Sequence, residues 1–165
     1  MATHPIRVFG DPVLRLPTLD VDEIDDALRQ LADDMLETMY AAPGVGLAAP
    51  QVGVQRRFFV YDVGDGPGAV VNPRIVRTSG EWTYLEGCLS VPDLHWEIVR
   101  PAKVHLVGVG LDGDEIDIEA DDLLGRCFQH EVDHLDGKLL ISRLAPDDRK
   151  DAMRILRERA LSDGH

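Results

Sequence analysis

Two cysteines in 165 residues are too few for a disulfide framework. A reducing compartment would keep Cys88 and Cys127 as thiols, free to pack or to ligate a metal. Basic residues are scarce as well: 17 Lys and Arg stand against 30 Asp and Glu, a formal net charge of -13. A field of that sign repels phosphate backbones, which argues against nucleic acid as a direct substrate while leaving room for a local basic patch. Long apolar runs are missing too. No stretch approaches the roughly 20 residues that cross a bilayer. Met1–Arg15 has neither the apolar core of a signal peptide nor the Arg/Ser-rich character of a transit peptide. The expectation is a cytoplasmic chain without a membrane partner. What is present is ordinary. Hydrophobic residues make up 44% and charged residues 28%, as in soluble globular proteins. Residues 1–165 are expected to form one domain, long enough to bury a core without covalent staples.

No internal repeat, low-complexity tract or linker interrupts the chain. Ile6–Phe9 reads as a first strand. Asp20 is the expected cap of a helix whose stripe is Ile24, Leu28, Leu31, Met35 and Met39, spaced by four and three and ending before Pro43. That stripe is core-facing, and its methionines pack. Arg57–Val63 and Ala69–Val76 read as strands either side of a Gly-rich turn, and Val104–Val109 with Glu115–Glu119 as a hairpin. Asp121 or Asp122 then caps a helix that Gly137 closes. A last helix runs from Pro146 towards Ala160.

The capped helix contains Gln129-His130-Glu131-Val132-Asp133-His134, and within it His-Glu-x-x-His. Residues four apart share a helical face, so His130 and His134 can bind one metal ion together. Glu131 lies about 100° round the helix from His130. That places it beside the metal, where a general base for the attacking water belongs. The bland alternative is two histidines on a solvated face with a chance glutamate between them. A secure catalytic site needs a third protein ligand and an open position. Cys127 faces the same way as His130 but lies a turn further back on a short side chain, which suits the cavity wall better than the metal. Cys88, in Glu86-Gly87-Cys88-Leu89-Ser90, could close a Cys-His-His site from a loop or strand end opposite the helix. It could equally be a small buried hydrophobe. Spacing leaves both readings open.

Three motifs, taken in order, go further. Gly44-Val45-Gly46-Leu47-Ala48-Ala49-Pro50-Gln51, then Glu86-Gly87-Cys88-Leu89-Ser90, then Gln129 to His134 resemble the three signatures of the peptide deformylases. Ile6-Arg7-Val8-Phe9-Gly10-Asp11-Pro12-Val13-Leu14-Arg15 is similar to that family's amino-terminal segment. The resemblance covers nearly the whole chain. It implies an α+β fold in which small antiparallel sheets surround a central helix bearing His-Glu-x-x-His. It implies Cys88, His130 and His134 as metal ligands and hydrolysis of the N-terminal formyl group of nascent chains, releasing formate. Family members typically use Fe2+, and several accept Zn2+, Ni2+ or Co2+; a mixed thiolate and imidazole set by itself suits iron and zinc equally. In the family the oxyanion is held by a glutamine amide, here Gln51, and a backbone N–H, here Leu89, with Glu131 moving the proton.

Val45, Gly46, Tyr84, Gly87, Leu123 and Arg126 are expected along the substrate pocket, and Glu86 beside it as a buried partner that orients the loops. Many deformylases carry an arginine near His95, so the histidine departs from the pattern. Methionine as the first substrate residue is implied by the family. A zinc peptidase of another class is one rival reading, but the only histidine after His134 is His165. A silent binding module is the other, and the presence of both Cys88 and Glu131 speaks against it. Arg149, Lys150, Arg154, Arg157 and Arg159 concentrate positive charge on the last helix, interleaved with acidic residues. A solvated helix with i,i+4 pairs is the preferred account. Transient contact with ribosomal RNA is the sharper one.

Overall fold

The computed structural model describes residues 2–163; Met1 and His165, and with it the rival ligand, lie outside them. The first helix, α1 (Asp26–Ala41), starts where the Asp25 carboxylate accepts the Leu28 N–H at 2.9 Å. The expected cap at Asp20 is therefore corrected. Asn72 bonds both the N–H and the C=O of Val21 through its side chain, which ties that residue to the strand Gly68–Ser79 instead of a helical turn. Leu28, Ala32, Met35 and Met39 of α1 pack on Leu47, Phe58, Val60 and Val71.

Those partners lie on an antiparallel sheet of β1 (Gly46–Ala48), β2 (Phe58–Tyr61), β3 (Gly68–Ser79), β6 (Lys103–Val109) and β7 (Glu115–Ala120), in that spatial order. Four of the five expected strands, those between Arg57 and Glu119, are present with small shifts at their ends. A second sheet pairs β4 (Trp82–Cys88) with β5 (Val91–Arg100), and neither strand was read from the sequence. Ile6–Phe9 is not a strand. It runs outside both sheets, attached by backbone bonds from Arg7 to Gln51 and from Phe9 to Ser90.

Between the sheets lies α2 (Asp122–Leu135), every residue of which is buried from Gly125 to Leu135. Phe128, Val132 and Leu135 pack on Phe59, Val70, Val104 and Leu106 of the large sheet. Its polar edge, carrying Arg126, His130 and Asp133, meets β4 and β5. Asp121 occupies the cap position, although its carboxylate accepts no hydrogen bond. Gly137 closes the helix at φ 76, a conformation that favours glycine. The last helix, α3 (Pro146–Asp163), buries Ala152 and Leu156 in a cluster with Cys88, Val91, Ile98 and Leu140. The fold is α+β, with the histidine helix at its centre.

Candidate metal centre

His130 and His134 sit one turn apart on α2, and the β4–β5 ladder delivers the third donor. Its register shifts between Gly87 and Cys88, so the last residue of β4 turns toward the helix. The Cys88 thiol and the two imidazoles offer ligand atoms that all lie within 4.8 Å of one another. Cys88 Sγ is 3.3 Å from His134 Nε2, which is 3.2 Å from His130 Nε2. The donor set fits a divalent ion, because a thiol and two imidazole nitrogens converge on one buried point. Burial alone would lower the His130 pKa, yet Cys88, Glu131 and Glu86 outweigh it and hold it well above its usual value. Surroundings that draw a proton so strongly also favour a metal cation. Burial and the neighbouring His130 hold His134 well below its usual value, which keeps that ring a neutral donor.

Beneath the histidines lies a buried charged chain. Glu86 Oε1 meets His130 Nδ1 at 2.9 Å, which turns the His130 Nε2 lone pair toward the donor cluster. The same carboxylate takes two bonds from Arg100, at 2.8 and 2.9 Å, and one from Arg126 at 2.9 Å. Arg100 also donates to Asp133 at 2.7 Å, and Asp133 accepts two more bonds from Arg143. Burial alone would raise the Glu86 carboxyl; His130 and Arg100 overcome it and hold the carboxyl down to about 2. It is therefore a fixed negative charge behind the ring, as in carboxylate–histidine–metal relays.

Glu131 lies close to the donors without being one of the three converging ligands. Burial pushes its carboxyl up to about 7, the Glu86 charge adding and His130 opposing. Gly46 lies against it: a Cβ there would come within 2.5 Å of Glu131 Oε2 and 2.9 Å of Cys127 Sγ. Gln51 is 1% exposed. Its Oε1 accepts the Ala48 N–H at 2.9 Å, so Nε2 faces the site, 3.1 Å from Ser90 Oγ and 3.8 Å from Cys88 Sγ.

A cleft of about 590 Å³ opens onto these groups. Apart from His134, every residue expected at the site lines it: Val45, Gly46, Gln51, Tyr84, Glu86, Gly87, Cys88, Leu89, Leu123, Arg126, His130 and Glu131. Cys127 is in the wall, its Sγ 3.6 Å from the Val45 carbonyl. Arg126 is committed to its neighbours, bonding Glu86 and the carbonyls of Ile98 and Trp82 with its guanidinium near the Trp82 and Tyr84 rings. It braces the wall and offers the cleft little free charge. His95 lies over Gly87, where a Cβ would come within 2.5 Å of its ring.

Sequence reasoning missed Arg100, Asp133 and Arg143. Asp133 sits inside the metal motif, on a buried helix where a carboxylate requires a cation; the arginines carry no local signal. Ser90 lies within the second motif, but its residue type alone does not signal the contact with Gln51 Nε2.

A His-Glu-x-x-His helix that meets a strand-borne cysteine in an acidic, buried pocket defines a metal-dependent hydrolase of α+β fold. A model of the polypeptide deformylase family matches residues 3–150, and the chain belongs to that family. It is 51% identical over 158 residues to a peptide deformylase of Acidothermus cellulolyticus, covering 96% of this chain and 88% of that protein. The crystal structure of peptide deformylase from Thermotoga maritima superimposes with a TM-score of 0.86 at 45% identity, covering 88% of this chain and 100% of that one. The Ehrlichia chaffeensis peptide deformylase in complex with actinonin gives 0.91 at 37% identity, covering 96% and 98%.

Proposed function

We propose that this chain removes the formyl group from the amino-terminal formyl-methionine of nascent polypeptides, with Cys88, His130 and His134 holding the metal. The observation that carries the reading is the convergence of those three donors with Glu131 and Gln51 on one cleft. A bound divalent ion supplies Lewis-acid polarisation and a water nucleophile of lowered pKa. Glu131 takes the proton of the attacking water and passes it to the departing amine as the formyl C–N bond breaks, leaving formate and a free amino terminus. Its raised pKa suits both transfers near neutral pH. Gln51 Nε2–H donates to the formyl oxygen as negative charge builds there, together with the Leu89 N–H. Glu86 holds the His130 ring in orientation. Val45, Tyr84 and Leu123 line the way for the first side chain, methionine. The donor set suits Fe2+, and Zn2+, Ni2+ or Co2+ in purified protein. Metal analysis of anaerobically purified protein tests that choice.

The chain works in the cytoplasm, where nascent formylated chains emerge. Among the described residues no helix is long and apolar enough to cross a membrane. The exposed Arg154–Glu158 pair fits the solvated-helix account of α3, and the other basic residues of that helix are those a transient ribosome contact would use.

Formyl- and acetyl-Met-Ala-Ser separate this function from general peptidase action. Gln51 and the Gly44–Gly46 loop line the cleft, where they can close the space beyond the reacting carbon. The extra methyl should therefore cost about 1–3 kcal/mol, or roughly 10–200-fold in kcat/KM. Equal rates on the two peptides would reject a formyl-specific pocket.

A further inference from the structure

The segment Ile6–Phe9 belongs to neither sheet, yet its backbone reaches both loops that carry the non-ligand chemistry. The Arg7 N–H donates to the Gln51 carbonyl at 2.7 Å, and the Phe9 N–H donates to the Ser90 carbonyl at 2.8 Å. Gln51 and Ser90 are 39 residues apart in sequence and meet again through their side chains, Nε2 to Oγ at 3.1 Å. We propose that Ile6–Phe9 is a positioning strap that fixes the Gln51 and Cys88–Ser90 loops relative to each other, and so aims the Gln51 amide at the reacting carbonyl.

The side chains of the strap show how it is seated. Ile6 packs on the cluster that contains Leu47, Ala49 and Val52, around the Gln51 loop, and it also lines the cleft. Phe9 packs on the separate cluster that contains Cys88 and Val91. One short segment thus anchors in two cores, one for each loop. Arg7 lies across Gly53, whose φ of 85 and missing Cβ leave room for the guanidinium; a Cβ there would meet it at 2.7 Å. Arg7 also pairs with Asp11 at 2.9 Å, and the Arg15 guanidinium sits 5.5 Å from the Phe9 ring. Ser90 Oγ and Ala48 N–H already engage one N–H and the oxygen of the Gln51 amide. The remaining N–H is directed into the site beside Cys88 Sγ, 3.8 Å from Nε2, so its aim follows the spacing of the two loops, and the strap sets that spacing.

This proposal rests on the reading of Gln51 as oxyanion donor, and the test separates the two. Arg7→Pro deletes the N–H bonded to Gln51, whereas Arg7→Ala keeps it. Arg7→Pro should lose roughly 10- to 100-fold in kcat relative to Arg7→Ala, with KM and bound metal unchanged, because misplacement of a reacting group by about 1 Å costs on that order. In a Gln51→Ala background the same pair should differ by less than about twofold, since the donor to be aimed is gone. If Arg7→Pro does not fold, Phe9→Ala serves instead: it should show the same non-additive kcat loss, with rescue by Phe9→Leu. Equal fold-losses with and without Gln51 would overturn the strap, as would loss of metal in step with activity. Wild-type kcat in Gln51→Ala alone would overturn the oxyanion reading and the strap with it.

Discussion

Glu131 and His130 are adjacent in sequence and separated by about 100° of helix, and that angle divides ligand from base. The His130 ring faces Cys88 and His134, while Glu131 faces the Gly46 loop. Such a reading follows from the five-residue spacing alone. The elevated pKa of Glu131 does not, because it comes from burial and from Glu86, a residue brought close only by folding. Glu131→Ala should keep one metal per chain and lose most of its turnover, checked by metal analysis beside steady-state kinetics. Parallel loss of metal would move Glu131 into the ligand set.

At the scale of elements, α2 was legible because the residues that bound it, Asp121 and Gly137, frame its motif, whereas β4 and β5 were not. These strands mix charged, aromatic and apolar residues, and their burial depends on meeting the polar edge of α2 and the face of α3. The cap expected at Asp20 moved to Asp25 because Asn72, far along the chain, bonds Val21 and holds the stretch before Asp25 out of the helix. Ile6–Phe9 has the composition of a strand but finds two isolated hydrogen-bond partners in place of a ladder. The choice between the cysteines was open for the same reason. Helix position alone made Cys127 a candidate, and only the β4–β5 pairing brings Cys88 to the histidines. Burial pushes the Cys127 thiol well up, with the Glu131 and Glu86 charges adding, so it stays a neutral wall residue. Cys88→Ser should sharply weaken metal binding, while Cys127→Ser should change only peptide kinetics. Metal titration of both variants checks the ranking, and its reversal would move the ligand to the helix.

For the whole molecule, the chain from His130 through Glu86, Arg100 and Asp133 to Arg143 ties the small sheet, the central helix and the segment before α3 into one charged unit. Glu86 titrates at about 2 against an ordinary 4.5, and Asp133 is also lowered, with burial opposing and the Arg143 and Arg100 bonds prevailing. Both folded-state values lie below the unfolded ones. Their contribution is therefore complete above about pH 5 and fades as pH falls toward 2, with Glu86 alone supplying on the order of 3 kcal/mol at neutral pH. Arg100→Met removes the shared cation and leaves two carboxylates buried with fewer partners, a loss of about 3–5 kcal/mol for a broken buried pair. Chelator-treated wild type and Arg100→Met should accordingly differ most in denaturant midpoint at pH 6, and the gap should narrow steadily toward pH 3. Comparing two metal-free proteins keeps loss of metal at low pH out of the gap. A gap that stayed constant across that range would assign the role of Arg100 to packing of its side chain, and the site would then owe its rigidity to shape alone.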